Sequence, residues 1–323
     1  AFFFNKTDTM DDYRVIFASG YAVTPNSTTE AKTLIVASAS SGVRYDYKTA
    51  TLGSSCSQEY AMMTDVATSR VNTSGEHNKL RAGYVGDTWG NLWRYDGNTL
   101  LKLESMGCQR PLHFSPTVVQ LDRDDPTNRS GETFLVQATN SALDDETMPM
   151  APSELIIMHE TVNVEGVPEV DRSYGVNGKL ILRVGQDNEI CGVTNPNGTC
   201  AKSMPTNARP TATPMALLKK DGSGFQLMSM WYAPDTAGCT KGATWLVLHQ
   251  VIGRTVTQVQ GMQVANEPVT SPVIAGGRIF VVGSNGTIEI TGNLEATISR
   301  GSASPTDNVG IGTFNQLSWT EVE

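Results

Sequence analysis

The chain lacks the cysteine spacing of a zinc or thioredoxin-like redox centre. Its five cysteines, Cys56, Cys108, Cys191, Cys200 and Cys239, include no Cys-x-x-Cys pair. It also lacks any run of about 18 apolar residues and any charged-then-apolar leader, so no segment reads as membrane-spanning or as a signal. Basic residues are few: 24 Lys and Arg stand against 33 Asp and Glu, a formal net charge of -9. Without a basic stripe there is nothing to replace the counterions of a nucleic acid, and no nucleic-acid partner is expected. Catalytic signatures are missing too. There is no Gly-x-Ser-x-Gly elbow and no His-Glu-x-x-His helix. The histidines, His77, His113, His159 and His249, are scattered, and the Met158-His159-Glu160 run sits in an apolar strand, so no catalytic residue is assigned. No stretch longer than about ten residues keeps a helical apolar period, which leaves little room for helix.

What remains is strand and turn. Gly83-Tyr84-Val85-Gly86-Asp87-Thr88-Trp89-Gly90-Asn91-Leu92-Trp93-Arg94-Tyr95-Asp96 reads as a β-hairpin, with Gly90-Asn91 supplying residues that tolerate positive φ and bulk on both faces of the returning strand. The unit recurs. Thr33 to Ser38 passes through Ser41-Gly42 into Val43 to Tyr47, and Arg278 to Gly283 passes through Asn285-Gly286 into Thr287 to Ile290. Weaker relatives are Thr133 to Ala138 with Glu154 to Met158, and Lys179 to Val184; Phe225 to Tyr232 with Thr244 to Leu248 makes a hairpin with a long tip. A hairpin that is apolar on both faces cannot bury both alone, and radial stacking of sheets resolves this. The expected fold is all-β, a single β-propeller over residues 1–323. At about 40 to 50 residues per blade, the length suits roughly six or seven blades. The competing architecture is a β-sandwich or a pair of them. Phe314, Leu317 and Trp319 read as a final strand after a polar, Gly-rich stretch from Ser302. The start at Ala1 reads as a processed product or a domain of a longer protein.

Cys191 and Cys200 bracket a loop of turn-formers, Gly192 to Thr199, and a disulfide between them fits an oxidising compartment. Cys56 and Cys108 are a second candidate pair, joining the loop after the Tyr47 strand to the loop after the Leu103 strand. Cys239 is then left over, on a hairpin tip, either as a buried thiol or with a partner elsewhere. Asp122, Asp124, Asp125 and Asn128 precede a glycine and could supply oxygen ligands to calcium; two arginines and a proline break that pattern, and a solvated acidic loop is the plainer reading. The same holds for Asp144-Asp145-Glu146. Among the tryptophans, Trp93, Trp231 and Trp245 read as wedge between blades, whereas Trp89 stands at a turn and is the candidate for partner binding.

These residues carry a resemblance. The Gly83 to Asp96 hairpin resembles the signature of the C-terminal propeller in PilY-type proteins of type IV pili. Tyr13-Arg14-Val15-Ile16-Phe17-Ala18-Ser19-Gly20, Ser115-Pro116-Thr117-Val118-Val119, Gly242-Ala243-Thr244-Trp245-Leu246 and Thr270 to Phe280 resemble further elements of that family, in the same order. The resemblance implies a non-enzymatic, extracellular protein at the pilus tip or cell surface, reached through the periplasm. It implies a part in pilus assembly, minor pilins as partners, and adhesion to host or abiotic surfaces. One departure matters. Where the family carries an Asp-rich calcium loop before the signature hairpin, this chain has Thr64 to Thr73, with Asp65 as the only carboxylate, so calcium gating does not carry over. A periplasmic scaffold propeller is the alternative. A quinone-dependent dehydrogenase is the enzymatic rival, but this chain lacks the adjacent cysteines typical of one and the Cys-x-x-Cys-His haem site of its fused forms.

Overall fold

Alternation of apolar and polar residues along the strands sets the architecture, because successive side chains of a strand point to opposite faces and both faces here must be covered. The structure, a computed structural model, describes residues 2–7, 10–20, 32–39, 41–51, 56, 60–62, 64–70, 80–121, 132–141, 151–184, 190–195, 197–219, 223–235, 242–275, 278–283 and 286–290. Among these the chain is all-β with no α-helix. The acidic loop Asp122 to Asn128, residues 144–146, His77, Cys239 and the Phe314 to Trp319 stretch lie outside the described residues.

Among the described residues five antiparallel sheets of three or more strands follow one another along the chain, with a two-stranded one between the third and the fourth. The first holds β1 (Phe2–Thr7), β2 (Met10–Ala18), β3 (Thr33–Ser38) and β4 (Arg44–Thr49). The second holds β5 (Ala67–Arg70), β6 (Leu80–Gly86), β7 (Asn91–Tyr95) and β8 (Leu100–Ser105). In the third, β9 (Thr117–Leu121), β10 (Glu132–Ala138) and β11 (Glu154–Val162) are followed by two short strands, β12 (Pro168–Val170) and β13 (Lys179–Arg183), which share one edge of β11. A separate hairpin, β14 (Cys191–Thr194) with β15 (Cys200–Ser203), comes next. The fourth sheet opens with a broken strand, β16 (Arg209–Pro210) and β17 (Met215–Leu218), on one edge of β18 (Gly224–Ala233), and continues through β19 (Ala243–Ile252) to β20 (Thr255–Ala265). The fifth holds β21 (Val273–Ala275), β22 (Arg278–Gly283) and β23 (Gly286–Ile290).

The sheets stack face to face in chain order, with one apolar cluster at each junction. Ile16, Leu34 and Val36 of the first sheet meet Val85, Trp93 and Tyr95 of the second. From the opposite face of the second, Tyr84 and Leu92 meet Leu135, Ile156 and Met158 of the third. The other face of the third presents Phe134, Val136 and Ile157 to Phe225, Leu227, Trp231 and Trp245 of the fourth. Met228, Met230, Leu246 and Leu248 then turn away to meet Ile279 and Val281 of the fifth. Each change of partner falls between adjacent residues, as a period of two requires. At about 1.5–3 kcal/mol for each large side chain removed from water, these clusters are the main cohesive force. Trp93, Trp231 and Trp245 lie buried between sheets, as expected for residues with bulk on a two-sided strand.

Leading strands of neighbouring sheets lie side by side, β9 beside both β5 and β17. Ser115 Oγ donates to the Asp65 carbonyl at 2.6 Å, and the Thr117 hydroxyl donates to the Pro214 carbonyl. Among the described residues there are five sheets of three or more strands and the two-stranded β14–β15 sheet, against the six or seven blades the length suggests, and no strand of the last sheet pairs with the first.

Candidate functional site: the loop collar at the signature hairpin

Three segments meet at one end of the second sheet: residues 60–62 and 64–66 leading into β5, the turn 87–90 between β6 and β7, and residues 106–116 leaving β8. The turn is organised by a single carboxylate. Asp87, 0 % exposed, accepts at Oδ1 from the Trp89 and Asn91 backbone N–H groups at 2.9 and 2.8 Å. At Oδ2 it accepts from Trp93 Nε1 at 2.6 Å and Asn91 Nδ2 at 2.9 Å. Burial pushes the Asp87 carboxyl up from its ordinary value, and these donors oppose the shift. Tyr60 lies beside it, and burial together with the Asp87 charge pushes its hydroxyl up as well. The Asp in the signature is thus a turn organiser with its lone pairs occupied.

Glycine is required at two points here. Gly90 has φ +76°, and a Cβ on it would stand 2.4 Å from the Gly107 carbonyl oxygen; one on Gly86 would stand 2.7 Å from Leu112 Cβ. The sequence placed positive φ across Gly90-Asn91; the structure has it at Gly90 alone of the two, because Asn91 already belongs to β7.

The flanking segments grip the turn from both sides. On one side Thr88 N–H donates to the Ala61 carbonyl at 2.9 Å, and the Thr88 hydroxyl accepts from Ala61 N–H at 2.8 Å. The Gly86 N–H donates to Thr64 Oγ1 at 2.8 Å. On the other side Met106 N–H donates to the Gly90 carbonyl at 2.7 Å and Leu112 N–H to the Asp87 carbonyl at 2.9 Å. The Cys56–Cys108 disulfide, its Cα atoms 5.6 Å apart, joins the two sides. Trp89 emerges from this collar half-buried, its ring edge-on to Tyr60 at 5.1 Å between centroids; Lys32 Nζ lies 5.8 Å from the Tyr60 ring. The expected surface tryptophan therefore stands at the tip, with part of its ring packed against the cluster between the first two sheets.

The second expected bridge, Cys191–Cys200, is also formed, and it closes the β14–β15 hairpin. Gln258 of β20 fixes that hairpin, donating to the Cys191 carbonyl at 2.7 Å and accepting from its N–H at 2.8 Å.

Sequence reasoning missed a buried ion pair between the second and third sheets. Arg94 Nε contacts Glu160 Oε1 at 3.2 Å, with the two residues 5 % and 4 % exposed. The Tyr84 hydroxyl donates to the other Glu160 oxygen, and burial and the Glu160 charge push that phenol up. Arg81 reaches the same carboxylate at 3.8 Å and Thr133 Oγ1 at 2.8 Å. Strand parity carries the signal: Arg94 shares a face with Leu92, and Glu160 with Met158, so both charges point into a junction where each needs a partner.

The remaining candidates do not converge. His159 Nδ1 lies 3.3 Å from Asp171 Oδ2, while Ser173 Oγ donates to Asp171 Oδ1 at 2.6 Å, so the hydroxyl faces the carboxylate instead of the imidazole. His249 is buried in the fourth sheet. Among the described residues no three His, Cys, Asp or Glu side chains gather as a metal group. Of the Thr64 to Thr73 stretch, Ala67–Arg70 form β5 and Asp65 is exposed. Among the described residues no helix is long and apolar enough to cross a membrane.

No family model matches the chain, and no curated protein matches it. Among solved structures it is similar to the crystal structure of the Pseudomonas aeruginosa PilY1 C-terminal domain, with a TM-score of 0.49 and 11% sequence identity over 86% of this chain and 69% of that one. At that identity and score, the functional reading rests on the chain's own residues and sheets.

Proposed function

We propose that the chain is a non-enzymatic β-propeller protein of a type IV pilus, acting at the filament tip in assembly and in adhesion to host or abiotic surfaces. The observation that carries this reading is the placement of the signature motif. Gly83 to Asp96 forms the second and third strands of a four-stranded sheet, one face packed on the sheet before it and the other on the sheet after it. That is the position a blade motif must occupy. The Thr270 to Phe280 element likewise leads into the fifth sheet. Two disulfides support passage through an oxidising compartment and an extracellular site of action. Loops at the collar end, with Trp89 at their centre, are the surface offered to minor pilins or to an adhesion target.

Mass spectrometry of sheared, purified surface filaments tests this reading. Peptides of the chain enriched beside minor pilins are the expected result. Recovery of the chain only from the soluble envelope fraction would overturn the tip role in favour of a periplasmic scaffold.

A further inference from the structure

We propose that the Cys56–Cys108 disulfide is a redox-sensitive latch that holds the collar closed around the Asp87 to Gly90 turn and thereby fixes the half-exposed indole of Trp89. The bridge does not lie within the turn. It joins the two segments that grip the turn from opposite sides, and those segments hold it through three backbone bonds, Thr88 to Ala61, Met106 to Gly90 and Leu112 to Asp87. The turn has its own internal lock, the Asp87 carboxylate bonded to the Trp89 and Asn91 amides. Opening the bridge therefore frees the grip and leaves the turn's shape intact.

The two disulfides differ in what they hold and in how easily they are reached. Cys191–Cys200 closes a separation of 9 residues inside one hairpin, with Cys191 buried and Cys200 partly exposed, and Gln258 fastens that hairpin independently. Cys56–Cys108 closes a separation of 52 residues, and both of its cysteines are partly exposed. A thiolate can approach the second bridge, which acts beside the Ser115 hydroxyl bond to the Asp65 carbonyl in tying its two segments to each other. In the reaction a dithiol reductant attacks one sulfur and the S–S bond breaks through a mixed disulfide. The two cysteines leave as thiols having gained two electrons and two protons, and the reductant leaves as its own disulfide.

Hydrogen exchange of the intact chain, titrated with a dithiol under native conditions, tests the latch. The expected result is exchange faster by about tenfold or more at the Thr88, Met106 and Leu112 amides, with Trp89 and Asn91 retaining protection and Trp89 fluorescence shifting at the same midpoint. The Cys56→Ser/Cys108→Ser variant should show the same pattern without reductant, and Cys191→Ser/Cys200→Ser should not. If the first variant fails to fold, the titration of the unaltered chain still decides. Unchanged protection at the three collar amides, or loss at all five together with the sheets, would overturn the proposal.

Discussion

Around the second sheet two buried carboxylates, Asp87 and Glu160, organise their surroundings; around the fourth the core is aromatic and aliphatic, and two of its buried rings have a nitrogen without a hydrogen-bond partner among the described residues. Asp87 collects four donors and Glu160 is paired with Arg94 in the former. In the latter Trp231 stands opposite Trp245 and donates from Nε1 to Ser229 Oγ at 2.8 Å, whereas among the described residues His249, 1 % exposed, has no hydrogen-bond partner on either ring nitrogen, nor has Trp245 Nε1. The disulfides follow the same division, a long-range bridge across the collar and a local one on the hairpin at the edge of the fourth sheet. Sheets with the same strand order can thus be joined either by specific polar contacts, which fix one geometry, or by apolar packing, which tolerates repacking but penalises any charge that appears inside it.

The sharpest way to break this comparison is to orphan a charge. Glu160→Ala leaves Arg94 buried without its carboxylate and should cost about 3–5 kcal/mol in urea unfolding, whereas the double change Arg94→Met/Glu160→Leu should cost much less. Equal losses in the single and double variants would mean that the pair is not what joins the two sheets. Removing the bridges ranks next. From loop closure alone, loss of Cys56–Cys108 should cost about 4 kcal/mol and loss of Cys191–Cys200 about 2.6 kcal/mol, read as midpoints of thermal unfolding.

Acid should find the fourth sheet. Burial holds the His249 imidazole down from 6.5 to about 4. An imidazole depressed in this way is neutral in both states at pH 7 and costs nothing there. As pH falls from 6.5 towards 4 the unfolded chain takes up the proton and the folded chain does not, so stability declines, by up to about 3 kcal/mol across that window. His249→Leu should flatten this part of the stability profile; a slope that survives the substitution would place its cause elsewhere. The smallest effect on stability is expected at Trp89, where alanine removes one edge-on ring contact worth about 1 kcal/mol. Adhesion should nevertheless fall, and an unchanged adhesion assay would remove Trp89 from the binding surface.

Much of this fold can be read from the residues. Alternation marked the strands, Gly-Asn and Ser-Gly pairs marked turns, and both disulfides follow from cysteines placed in turn-rich loops. Of the broken strands only β13 was legible, as the Lys179 to Val184 run; β12, β16 and β17 are pieces of two to four residues, too short to show a period. The Arg94–Glu160 pair was legible in principle from parity, yet it required knowing that both faces of each sheet are covered. Trp89 was placed correctly at a turn, but its partial burial depends on Tyr60, which reaches it from a segment 29 positions earlier in the chain. Local sequence does not encode that contact.

Immunogold electron microscopy of intact filaments tests the central claim most directly. With the chain tagged at a site that leaves the collar intact, gold should gather at the free ends of pili. Gold confined to the cell envelope, with filament ends bare, would contradict the account.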